Sequence, residues 1–182
     1  MTLRKKRKQP TGQESALAKG RCQHPELPLL SSLGFEEIDI LILEILRSLC
    51  AGYEQDNLAC WERAFDVAEE HLGSVDGPSF VSRCVMLLRA LRAERAGGFC
   101  YMSTECIHIS EAEQDLMKLV RVGSSAATCD KQVADAARVL ATTADPSKLV
   151  TAARALGAMC IRHKRLKELE SQTFTTPSVR LH

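Results

Sequence analysis

Between Phe35 and Cys50 the chain reads FEEIDILILEILRSLC. Ile38, Ile40, Leu41, Ile42, Leu43, Ile45, Leu46 and Leu49 leave polar residues only at Glu36, Glu37, Asp39, Glu44, Arg47 and Ser48. A helix apolar around most of its circumference has to be covered on most sides. The pattern therefore predicts a central helix over about 35–51, with the remaining elements packed around it. Acidic residues near its start and Arg47 near its end suit a helix dipole better than a strand. The apolar run is short of the ~20 residues that span a bilayer and carries internal charges, so it is not read as membrane-crossing.

Apolar positions recur at helical spacing through the rest of the chain. Asn57 can cap a second helix to about Leu72, with Leu58, Trp61, Phe65, Ala68 and Leu72 on one stripe and Gly73 as its stop. A third, from about Asp76 or Pro78 to Arg95, would bury Phe80, Cys84, Leu87, Leu88 and Leu91, with Gly97 and Gly98 ending it. Ser110-Glu111-Ala112-Glu113 has the form of a capping box and opens a fourth, to about Val122, with Leu116, Leu119 and Val120 inward. A fifth spans about Asp130–Thr142 with Val133, Ala137 and Leu140 inward. Asp145-Pro146 supplies a cap and a first-turn proline for a sixth, to about Glu170, with Leu149, Leu156, Met159, His163 and Leu166 on its stripe. No fixed-period repeat is present, and short links favour a compact bundle.

Composition agrees with an all-α protein: aromatic residues are only 4% of the 182, and Ala, Leu, Glu, Arg and Lys are abundant. The expected fold is a single compact bundle of about six helices over residues 21–170. Residues 1–20, with the basic run Arg4-Lys5-Lys6-Arg7-Lys8, form a disordered tail, and residues 171–182 a C-terminal one. Pro25 and Pro28 give an extended entry, anchored by Leu27, Leu29, Leu30 and Leu33. The formal charge of +1 supplies no global field toward nucleic acid or a membrane, so such a partner would have to meet a local patch. Eight cysteines at irregular spacings, with no export signal, read as reduced thiols of a cytoplasmic protein.

Two Cys-x-His tripeptides, Cys22-Gln23-His24 and Cys106-Ile107-His108, each precede a helical element. Their two thiolates and two imidazoles would suffice for tetrahedral zinc if the entry segment met the link before the fourth helix, with Cys100 as a substitute ligand. The spacing matches no established zinc motif, and ordinary buried thiols are the simpler reading. Arg89, Arg92 and Arg95 recur every three residues and are candidates for contact with an anion or partner; a solvated face is the plainer alternative. His163 reads as a core histidine and His71 as a helix-end residue. The glycine-loop, HExxH and GxSxG signatures of enzymes are absent. A nucleophile and base at Cys100 or Cys106 with His108 lacks an orienting third group. A helix-turn-helix built from the fourth and fifth helices has too long a loop and too acidic a second helix.

These patterns lead to one expectation: a non-enzymatic cytoplasmic helical protein that binds another protein, with a structural or sensing zinc at Cys22, His24, Cys106 and His108 as a candidate addition. The alternatives are a small nucleic-acid-associated regulator using the basic tail and the basic end of the last helix, and a thiol-dependent enzyme at Cys106 and His108. No membrane partner is expected.

Overall fold

The structure is a computed structural model that describes residues 25–173, the side chains of residues 172 and 173 excepted. After a 3-10 turn at Leu30–Ser32 come five helices: α1 (Glu37–Gln55), α2 (Leu58–Glu94), α3 (Glu111–Gly123), α4 (Asp130–Leu140) and α5 (Ser147–Thr173). The described residues contain no strand; an isolated antiparallel bridge joins Leu29 to His108. The expected tail over residues 1–20 lies outside the described residues. Of the expected tail from 171 onward, the first residues belong to α5.

The six helices expected from the pattern are five, because the second and third are joined through Gly73 with no loop between them. Gly73 has φ 79 and ψ 167, which is not helical, so α2 consists of two limbs that turn there. The turn is sharp: a Cβ on Gly77 would lie 2.8 Å from the backbone nitrogen of Glu69. Glycine at both positions supplies what the bend requires, a positive φ at one and room for backbone against backbone at the other.

The local signals account for the helix ends. Asn57 accepts a hydrogen bond from the Ala59 amide at 3.0 Å at the start of α2, and Ser110 and Glu113 close a reciprocal capping box at the start of α3. Asp145 Oδ1 accepts from the Ser147 amide at 3.1 Å, but the deeper cap of α5 comes from another helix. The buried carboxylate of Glu94, at the end of α2, accepts from the amides of Lys148 (2.8 Å) and Leu149 (3.0 Å). An acid at a helix N-terminus satisfies orphan donors and favours the dipole, so α2 and α5 are tied end to start.

Ile38, Leu41, Ile42, Leu43, Ile45, Leu46 and Leu49 of α1 are buried, as a helix apolar on most sides requires. α1 is not the hub, however. It packs mainly on α2 and touches α3, whereas α5 packs on α2, α3 and α4. From outside the five α-helices, Leu30, Leu33 and Phe99 also pack against the core. The crossing of α3 and α5 is equally close, since a Cβ on Gly157 would sit 2.5 Å from the carbonyl oxygen of Gly123.

The stripe expected on the first limb of α2 is rotated. Ala64 and Ala68 are fully buried, Trp61 and Leu72 are half-buried, and Leu58 and Phe65 are 70% and 37% exposed. The Trp61 ring is seated against Gly52 of α1, where a Cβ would stand 2.7 Å from it, and Ala64 and Ala68, not Leu58 and Phe65, form the buried face of the limb. On α5, Leu149 and Leu156 are buried, but burial ends at Cys160, leaving His163 half-buried and Leu166 exposed.

Candidate functional site

Arg47, expected as a polar position near the end of α1, is 2% exposed and holds the link between α2 and α3 in place. Its Nε donates to Glu113 Oε1 at 2.7 Å and its Nη2 to Glu113 Oε2 at 3.0 Å, a bidentate pair. The remaining donors go to backbone carbonyls of the link: Nη1 to Ser103 (3.3 Å) and Cys106 (2.7 Å), Nη2 to His108 (2.6 Å). Glu113 also accepts from the amides of Met102 (3.1 Å) and Ser110 (2.9 Å). Five guanidinium donors and four carboxylate acceptor positions are thus all used, which is the condition under which a buried ion pair is tolerated. This arginine has no donor left for a ligand.

That network places two of the expected metal ligands. Cys106 and His108 are buried on the link that Arg47 pins. The entry segment runs beside them: Leu30 donates its amide to Ile107 at 2.9 Å and Ile109 to Pro28 at 3.1 Å. Cys22 and His24 lie outside the described residues, so the fourfold set is not seen together. Among the described residues no group of three or more histidine, cysteine, aspartate or glutamate side chains is arranged to hold a metal ion. Cys100, the substitute ligand, is exposed and lines a cleft of about 620 Å³ with Ser48, Glu54, Cys60 and Arg63.

The arginine row does not form one site. Arg92 lies over the Tyr53 ring at 5.2 Å, and Arg95 donates to the carbonyls of Gly98 (3.2 Å) and Leu140 (3.1 Å). Both border a pocket between α1, α2 and residues 97–101. Arg89 points to the other flank of α2, into a groove of about 480 Å³ between α2 and α5. Arg83, Met86, Ala90 and Ala93 come from α2, and Ser147, Lys148, Thr151, Ala152 and Ala155 from α5. The row therefore divides between two clefts that share no lining residue.

Charge pairing separates this groove from the rest of the surface. Arg63, Lys118, Arg121, Arg138, Arg154, Arg162, Lys164 and Lys167 each have a carboxylate partner. Among the described residues, Arg83, Arg89, Lys131, Lys148 and Arg165 are engaged by no carboxylate, ring or carbonyl. Three of these five, Arg83, Arg89 and Lys148, stand around the one groove, whose lining contains no acid. Its floor is alanine, and Met86 is exposed beside it. Arg83 and Lys148 were not singled out from the sequence; the available signal was that Arg83, Met86, Arg89, Ala90 and Ala93 share the flank of the α2 apolar stripe.

The basic end of α5 is already compensated. Arg162 pairs with Asp76, Lys164 with Glu36 and Lys167 with Glu37, so three of its cations face acids at the α2 turn and the start of α1. The basic run Arg4 to Lys8 lies outside the described residues. No described helix is long and apolar enough to cross a membrane. Protein-family models, curated proteins and solved structures offer no match to the chain.

Proposed function

We propose that the protein is a non-enzymatic, cytoplasmic binding protein whose partner is another protein, docked in the groove between α2 and α5. The single observation that carries this reading is the ring of three unpaired cations, Arg83, Arg89 and Lys148, around an alanine floor. A groove between two helices with an apolar floor suits an amphipathic helix laid along it. The cations select one with acidic residues flanking its apolar stripe, and the opposite charges speed its encounter. Met86, flexible and exposed, is the kind of side chain that adapts to such a partner. The seven described cysteines are free thiols, which accords with a reducing compartment.

A nucleic acid would also seek the cations, but an alanine floor offers it neither base stacking nor phosphate contacts. The compensated end of α5 gives it little more. The reading is tested by placing a photo-crosslinking residue at Met86 of the full chain in cells and mapping the adduct by mass spectrometry. The expected adduct is a protein segment with apolar residues at helical spacing and acidic neighbours, lost when Arg83, Arg89 and Lys148 are replaced by glutamine. Adducts to nucleic acid, adducts that survive the triple replacement, or none at all would overturn the proposal.

A further inference from the structure

The pocket on the opposite flank of α2 has a different chemistry. It measures about 370 Å³, within the range of small-molecule sites. Leu88 and Leu91 are its buried floor, with half-buried Cys50 and Phe99 beside them. Tyr53 and Tyr101 are the walls, and Arg92 and Arg95 stand at the mouth. Both arginines are held in place by neutral groups: Arg92 by the Tyr53 ring, Arg95 by the Gly98 and Leu140 carbonyls. Their positive charge is therefore positioned but not neutralised. Glu54 is the one acid in the lining, and its carboxylate already accepts the Tyr101 hydroxyl.

We infer that this pocket is a binding site for a small apolar carboxylate, aromatic or branched, whose hydrocarbon body covers Leu88, Leu91 and Phe99 while its anionic head meets Arg92 and Arg95. The apolar floor favours a body that leaves water, and two fixed guanidiniums against one engaged carboxylate favour a single negative charge. Gly97 and Gly98 border open space at the mouth, where a Cβ on either would meet nothing within 4 Å, and Gly97 at φ 116 takes a conformation that suits glycine. Binding here is non-covalent. Burial, then the charges of Glu113 and Glu54, push the Cys50 thiol up to about 12, so the pocket's one cysteine stays protonated and is a poor nucleophile at neutral pH.

The chain contains a single tryptophan, Trp61, whose ring meets Tyr53 edge-on at 4.8 Å and 75°. Its emission therefore reports on the pocket wall. Titrating the full chain with 4-phenylbutyrate should change Trp61 emission saturably and shift the amide resonances of Gly97 and Gly98. The uncharged 4-phenylbutanol should bind about tenfold or more weakly, the loss expected of one charge-assisted contact. Arg92→Gln should weaken 4-phenylbutyrate similarly and bring the two compounds together, whereas Lys131→Gln, on a cation of α4 remote from the pocket, should change nothing. Equal affinity for acid and alcohol in the wild-type chain, or no saturable change in either emission or the glycine amides, would overturn the inference. That outcome would leave the groove reading intact, because Met86 and Arg89 lie on the other flank of α2.

Discussion

The corner where α1, the 99–110 link and α3 meet and the groove between α2 and α5 both present cationic side chains, and they use them in opposite ways. At the corner Arg47 is buried, and each of its donors has an acceptor. In the groove Arg83, Arg89 and Lys148 are solvent-exposed, and no carboxylate pairs with their side chains. A satisfied buried pair fixes structure and offers nothing to a ligand, while uncompensated surface cations contribute little to folding and remain available for binding. The contrast separates the charges that make the fold from those free to act outside it.

The largest expected effect comes from breaking the corner. Glu113→Ala leaves the Arg47 guanidinium buried without its counter-ion and the Met102 and Ser110 amides without an acceptor, at a cost of ~3–5 kcal/mol. That is a large part of the stability of a domain this size. Replacing both partners, Arg47→Met with Glu113→Leu, should recover much of the loss, because no unpaired charge remains, although the link carbonyls then lose their donors. Urea titration of the two variants against wild type measures both. A Glu113→Ala chain that unfolds within about 1 kcal/mol of wild type would show that the corner is wetter than its geometry implies.

The groove gives the converse. Arg83→Gln, Arg89→Gln and Lys148→Gln should each stay within about 0.5 kcal/mol of wild type, as exposed substitutions without partners do. Their combination should not lower the melting temperature, because removing neighbouring like charges relieves repulsion. A marked loss of stability in the triple variant, seen by thermal melting, would mean that these side chains have structural partners after all and would collapse the distinction between the two regions.

How far this division could be read beforehand depends on the range of the interactions. Local chemistry was legible: Asn57, the Ser110 and Glu113 box, and the turn at Gly73 each act within four residues of chain. So were the buried faces of α3, α4 and the second limb of α2, where one apolar stripe meets one core. Arg47 was not, because its partner stands 66 positions away and an isolated arginine near a helix end looks the same whether solvated or buried. The first limb of α2 misled for a different reason. Hydrophobicity pointed to Phe65, but the face that is buried carries Ala64 and Ala68, with the Trp61 ring seated against Gly52 of α1. The groove was half visible: Arg89 was marked, but its neighbours in space come from α5, and the row it belonged to in sequence divides between two flanks. Whether Cys22 and His24 join Cys106 and His108 lies outside the described residues.

The smallest effect tests the compensated end of α5, where paired surface charges should behave as neither corner nor groove. His163 is half-buried there, and its pKa is lowered from 6.5, first by desolvation and then by Lys167, with Glu170, Asp76 and Glu37 opposing. A histidine that binds its proton less readily when folded makes the unfolded chain the better proton acceptor just below that pH. Its contribution to stability is therefore complete above about pH 6.5 and declines as pH falls through the window between the unfolded and folded values. Solvent access keeps the loss on the order of a few tenths of a kcal/mol. His163→Gln should remove that part of the acid dependence while leaving the rest, so urea midpoints at about pH 7.5 and about pH 5.5 should differ slightly less in the variant than in wild type. A steeper decline in His163→Gln would mean that Glu170, Asp76 and Glu37 outweigh burial, and that His163 holds its proton as part of the ion-pair row.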